Sequence, residues 1–187
     1  MRLQMPVLAC IKNQGIRKNN IYSLVLYLFW VRNKKCMITT ILIDLYNKEL
    51  DKLKNEITAY ETDEVLWKQS EGVNVTGGNL CLYIAGNLQH YIGNMIGDSG
   101  YIRNKEAELK AKNVSRERLL EEIENTRQIV IDTLEQVSKA ELLKEFPTKD
   151  FEEPVTTEYY LVHLLNNLCF NLGQINFHRK QAETVVG

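Results

Sequence analysis

Residues Thr157 to Lys180 read TEYYLVHLLNNLCFNLGQINFHRK, and this stretch decides the fold class. Leu161, Leu164, Leu165, Leu168, Leu172 and Ile175 recur at helical spacing, which predicts one long helix with an apolar face. At about 100° per residue, His163, Asn167, Asn171, Gln174 and His178 fall within an arc of roughly 80° on one side of it. Tyr159, Phe170 and Phe177 lie on the opposite flank of that polar line. The line carries no charge, and charged residues usually mark solvent. It is therefore expected to face the interior of a bundle or a pocket in it; the competing reading is an ordinary half-exposed polar edge.

Working outward, three further helical patterns precede this one. Ile38, Ile41, Leu42, Leu45, Leu53 and Ile57 keep helical spacing, while Lys48, Glu49, Lys52 and Glu56 fill the other face, so a first amphipathic helix starts at Met37. A short turn around Glu64 to Trp67 and a Gly/Asn-rich connection follow. No charged residue occurs between Gly72 and Gly97, so a second helix, about Asn79 to Ile96, should be the most buried. Tyr83, Asn87, His90 and Asn94 share one narrow arc of it, a polar surface that could meet the polar line of the last helix, because buried polar groups need partners. After a loop through Gly97, Gly100 and Tyr101, a third helix begins at a Ser115 cap and runs to about Val137, with Leu119, Leu120, Ile123, Val130, Leu134 and Val137 inward. Its charges, Arg116 through Glu124 above all, read as a solvated face with i,i+4 pairing. Ser138 to Glu141 has the form of a capping box for a short extra helix that ends before Pro147. Four long helices without a strand signal imply an all-α four-helix bundle, and the long segment between the second and third permits a topology other than up-down-up-down.

The chain of 187 residues, 44% apolar, suits one domain with a real core. Its net charge of −1 is uneven: Met1 to Cys36 holds seven Lys/Arg and no acid, whereas the rest holds 16 basic and 24 acidic residues. The acidic body argues against a nucleic-acid partner. The apolar run Ile21 to Val31 follows basic residues as a targeting segment would, yet it is too short to span a bilayer and has no clear small-x-small cleavage site. The sequence is thus expected to divide into a basic N-terminal extension, residues 1–36, that is a targeting segment, an addition upstream of a natural start at Met37 or a segment peripheral to the bundle, and a bundle domain, residues 37–187. Cys10, Cys36, Cys81 and Cys169 form no CxxC and no disulfide framework, and they read as reduced, mostly buried thiols, consistent with a cytoplasmic protein without a membrane span. The second helix is interrupted by Asn79, Asn87, Gln89, His90 and Asn94, which rules it out as a span.

The segment Leu82 to Gly93 (LYIAGNLQHYIG), the continuation Gly97, Gly100, Tyr101, Arg103, and the late segment His163 to Arg179 (HLLNNLCFNLGQINFHR) resemble an uncharacterised branch of the DinB/YfiT-like superfamily. The resemblance covers Met37 to Lys180, and Leu172 to Ile175 is its most specific piece. It implies a four-helix bundle, often a homodimer, whose divalent metal, zinc or nickel, is held by one histidine of the second helix and an His-x-x-x-His pair of the last. It further implies relatives that transfer groups to low-molecular-weight thiols of the bacillithiol or mycothiol type.

This sequence departs from that pattern at the ligand positions. The i,i+4 pair maps onto Asn167 and Asn171, and the helix-two ligand onto Tyr83 or His90. A neutral amide oxygen does not replace imidazole for zinc or nickel without a large loss of affinity. The expectation is a bundle with a degenerate metal site that binds a small molecule or has no catalytic role. The alternative is a thiol-dependent S-transferase or metal-dependent hydrolase with an atypical site, built for instance from Tyr83, His90 and His163. The pocket is expected from Tyr83, Asn87, His90, Asn94, His163, Asn167, Asn171 and Gln174. No GxGxxG, P-loop or GxSxG pattern competes.

Overall fold

The computed structural model describes residues 37–69 and 75–184, all within one compact unit that spans 36–187. The basic extension, with Cys10, Cys36 and the apolar run Ile21 to Val31, lies outside the described residues. The described chain is all-α. Its helices are α1 (Met37–Thr58), α2 (Asp63–Leu66), α3 (Gly77–Leu88), α4 (Lys105–Lys110), α5 (Arg116–Gln136), α6 (Lys139–Leu142) and α7 (Thr157–Thr184). A π-helical segment, Gln89–Asn94, continues α3 without a break. The β pairing among the described residues is an isolated bridge between Glu145 and Thr156.

Local chemistry explains the boundaries. Thr76 and Asn79 form a capping box, each side chain taking up a backbone N–H of the other's turn, so α3 begins three residues before its first apolar position. Ser115 caps α5 by accepting from the Arg118 N–H, and the Ser138–Glu141 capping box starts α6. Both follow the expectation from sequence. The π segment and α4 do not.

Four long helices form a ring in which α1 contacts α5 and α7, and α3 contacts the same two from the other side. Bonds between them give their directions. Arg116 reaches the Thr58 carbonyl while Arg127 bonds Asn47, so α5 runs antiparallel to α1. Tyr46 donates to the Leu161 carbonyl and the Tyr60 hydroxyl lies 3.2 Å from that of Ile175, so α7 runs parallel to α1. Gln89 meets Glu122 and Thr126, and a Cβ on Gly97 would meet Thr133, so α3 and α5 are parallel as well. The connection between α3 and α5 must therefore travel back along the bundle. It does so as a strap over α3: Arg103 sits at Tyr83 and Asn87, the Glu108 and Ala111 carbonyls accept from Asn79, and the Val114 carbonyl accepts from Trp67.

The core is built from Leu42, Leu50, Leu53 and Ile57 of α1, Ile84 and Leu88 of α3, Leu119, Ile123 and Leu134 of α5, and the leucine stripe of α7. Two α1 positions in the expected stripe face outward instead: Ile41 and Leu45 are exposed, while Tyr46 and Leu50 are buried. The reason is tertiary. Tyr46 has an apolar ring and a hydroxyl that finds the Leu161 carbonyl at 2.7 Å, so it can be fully buried without an unsatisfied polar atom.

Candidate functional site

The two polar surfaces expected from sequence meet at one level of the bundle. On α3, Asn87 is buried, and its Nδ2 donates to Asn167 Oδ1 on α7 at 3.3 Å. Asn171, one turn further and also buried, donates from Nδ2 to the Asn167 carbonyl at 2.7 Å and to Asn167 Oδ1 at 3.1 Å. Three amides from two helices thus form one chain of bonds.

A fourth member comes from the strap. Arg103 Nη1 donates to Asn87 Oδ1 at 2.9 Å, and its Nε and Nη2 bind the Glu108 carboxylate at 3.0 and 2.9 Å. Both side chains of this ion pair are about nine-tenths buried, at 10% and 9% exposure. The guanidinium lies 4.8 Å from the centre of the Tyr83 ring, where the negative face of the ring favours a cation. A Cβ on Gly86 would collide with the Glu108 carboxylate, so the absence of a side chain at Gly86 is what lets the ion pair approach the α3 backbone.

Of the other expected pocket residues, His90 stays within reach of the Arg103 and Glu108 charges, while the rest have different neighbours. His90 packs edge-on against Tyr91, with ring centres 4.8 Å apart, and its Nδ1 is enclosed without a hydrogen-bond partner. Burial first, and the Arg103 charge second, hold the His90 imidazole below its ordinary pKa. His163 is half-buried and stacks edge-on against Phe151 at 5.0 Å. Asn94 is half-buried near the end of the π segment, and Gln174 is exposed beside Phe170 and Phe177. His178 belongs to a different cluster: Nδ1 lies 2.7 Å from the Tyr60 hydroxyl and Nε2 2.8 Å from the Lys68 carbonyl. A carbonyl can only accept, so Nε2 carries the hydrogen and Nδ1 of the neutral ring accepts from Tyr60.

The helix-two residue that meets Asn167 is thus Asn87, rather than Tyr83 or His90. The π segment accounts for part of this. Each of its turns holds roughly one more residue than an α turn, so a face counted at 3.6 residues per turn slips as it passes Gln89. Met95 N–H bonding to the His90 carbonyl, an i to i−5 link, marks that extra residue.

A divalent cation does not fit this network. The Asn87 and Asn167 oxygens already accept hydrogen bonds, and the group adjoining them is a guanidinium, whose charge repels a second cation. Among the described residues no three His, Cys, Asp or Glu side chains gather as metal ligands. The described thiols are weak nucleophile candidates. Burial pushes Cys81 far above the usual thiol range, and Cys169 is raised by burial and then by the neighbouring Glu49, so both stay protonated at neutral pH. No described helix is long and apolar enough to cross a membrane. No protein-family model matches the chain, and no curated protein matches it.

Proposed function

We propose that this chain is a DinB/YfiT-like bundle whose former metal position is occupied by its own side chains, and that it acts without a metal, as a small-molecule-binding or non-catalytic protein. The observation that carries the reading is Asn87: its amide oxygen takes Arg103 and its amide nitrogen takes Asn167. The histidines that the resemblance would require are replaced by amides on α7. An internal guanidinium supplies the positive charge that such a cavity would otherwise take from an ion. Any ligand bound beside Asn167 and Tyr83 would be recognised by uncharged hydrogen-bonding groups and an aromatic face, which suits a small polar molecule. Low-molecular-weight thiols are the class that the resemblance suggests.

The test is metal content and metal response. The chain purified without chelator should carry substoichiometric zinc, nickel, iron and manganese, and none of these should raise its melting temperature, since only binding to the folded state does so. Tightly held stoichiometric metal that disappears on His90→Ala or His163→Ala would overturn the reading in favour of an atypical metal site.

A further inference from the structure

We propose that the groove between the start of α3 and the later turns of α7 is a binding site for a small, neutral, aromatic molecule, separate from the amide network at Asn87. The groove holds about 740 Å³ and is lined by Val75, Leu80, Phe170, Gly173, Phe177 and His178. Ligand sites are concave, roughly 300–1,000 Å³ in volume, and walled by apolar and aromatic side chains with a few polar groups among them. The described walls of this groove include none of Asn87, Arg103, Asn167 and Asn171.

One residue leaves the room. A Cβ placed on Gly173 meets no atom within 4 Å, so no packing contact requires a glycine in this helix interior, where glycine is a poor helix former. Its missing side chain opens a floor between Phe170 and Phe177, which lie two turns apart, about 10 Å along the helix. Both rings stand in water, at 67% and 62% exposure. A planar ring laid on that floor meets an aromatic side chain at either end, and such contacts are worth more than the area they bury. An alkyl chain gains only the area.

The walls also set the charge of the ligand. No Asp, Glu, Lys or Arg occurs from Tyr159 to His178, in a chain that is 25% charged. His178 is neutral and both its nitrogens are taken: Nδ1 accepts from the Tyr60 hydroxyl at 2.7 Å, and Nε2 donates to the Lys68 carbonyl at 2.8 Å. A charged ligand would leave water here without meeting an opposite charge. The Gln174 amide, also at the groove, can exchange a hydrogen bond with one polar substituent. An extended peptide is a poorer occupant, because its backbone N–H and C=O groups would face apolar walls unpaired.

The inference does not rest on the metal-free reading above, and its test touches no residue of the amide network. N-phenyl-1-naphthylamine, a neutral aromatic dye that brightens on leaving water, is titrated into the full chain. Saturable binding of one dye per chain is expected. Its sulfonated relative, 8-anilinonaphthalene-1-sulfonate, should bind at least about 10-fold more weakly. 1-Naphthol should displace the dye at about 10-fold lower concentration than 1-octanol, which partitions into oil to a similar extent. Gly173→Leu fills the floor and should weaken the dye by at least about 10-fold, with a melting temperature no lower than that of the wild type, because leucine favours a helix over glycine. Phe170→Ala removes one end wall and should also weaken the dye, which decides the matter even if the leucine variant fails to fold. Cys169 is exposed and lines the same groove. Dye at ten times its Kd should therefore slow alkylation of Cys169 by N-ethylmaleimide about 10-fold, read by peptide mapping. Absence of saturable binding, unchanged affinity in the folded variants, or an unchanged rate at Cys169 would overturn the proposal. So would equal binding of the sulfonate, equal displacement by 1-octanol, or a dye affinity that falls as protein concentration rises, the mark of a second copy covering the groove.

Discussion

Arg103 is the residue on which the polar centre of the bundle turns. It binds Glu108 through two nitrogens and Asn87 through a third. Replacing it with Met leaves a buried carboxylate without its cation, and loss of one partner of a buried pair costs about 3–5 kcal/mol. Urea unfolding of Arg103→Met should show a loss of this size, and Arg103→Met combined with Glu108→Leu should recover much of it, because two apolar groups of similar size leave no unpaired charge. His178 gives a pH signature of its own. Burial holds its folded pKa below the ordinary value of 6.5. The unfolded ring therefore takes up a proton first as pH falls, so stability is complete above about pH 6.5 and declines below it until the folded ring is protonated too. Melting temperatures measured from pH 7.5 downward should fall more steeply in wild type than in His178→Gln. Equal slopes would mean that His178 contributes nothing to the pH dependence.

At the scale of the element, α3 with its π continuation shows how far the sequence could be read. Its burial was legible, because a run as long as Gly72 to Gly97 without a single charge marks a segment withdrawn from water. Its polar face was legible only as far as Asn87. Beyond Gln89 the π register moves His90 and Asn94 away from the line that an α-helix would give, and no residue type announces that change. The strap was missed for a related reason. Arg103 and Glu108 are charged, and charge reads as solvent unless the partner is known. The signal that could have found them is Gly86, a small residue inside a buried helix, together with the Asn104 cap of α4. Gly86→Ala tests this directly. In an ordinary helix interior the change stabilises by about 0.5–1 kcal/mol. Here the added methyl meets the Glu108 carboxylate, and a loss of about 1–3 kcal/mol is expected. In a Glu108→Ala background the same change should become neutral or favourable, a non-additivity that marks the two as neighbours.

For the described bundle as a whole, two pairs of parallel neighbours, α1 with α7 and α3 with α5, force the return connection that becomes the strap. Several ion pairs of the described residues join two exposed side chains, such as Lys48–Asp44 and Arg118–Glu121, both with more than half of each side chain in water. Such pairs are worth little and are screened by salt. Raising sodium chloride from low ionic strength to about 0.5 M should therefore change unfolding free energy by less than about 1 kcal/mol, as denaturant titrations would show. The sequence by itself determined the helical class, the long helices, the caps at Ser115 and Ser138, and the inward leucines of α7, because these depend on the period of apolar residues along one element. Only the tertiary structure decided that Asn87, rather than Tyr83 or His90, meets Asn167, that a guanidinium fills the space beside them, and that Ile41 and Leu45 face outward. Those outcomes depend on which faces of different helices come together and on the local pitch of one of them, and neither is a property of any single stretch of chain.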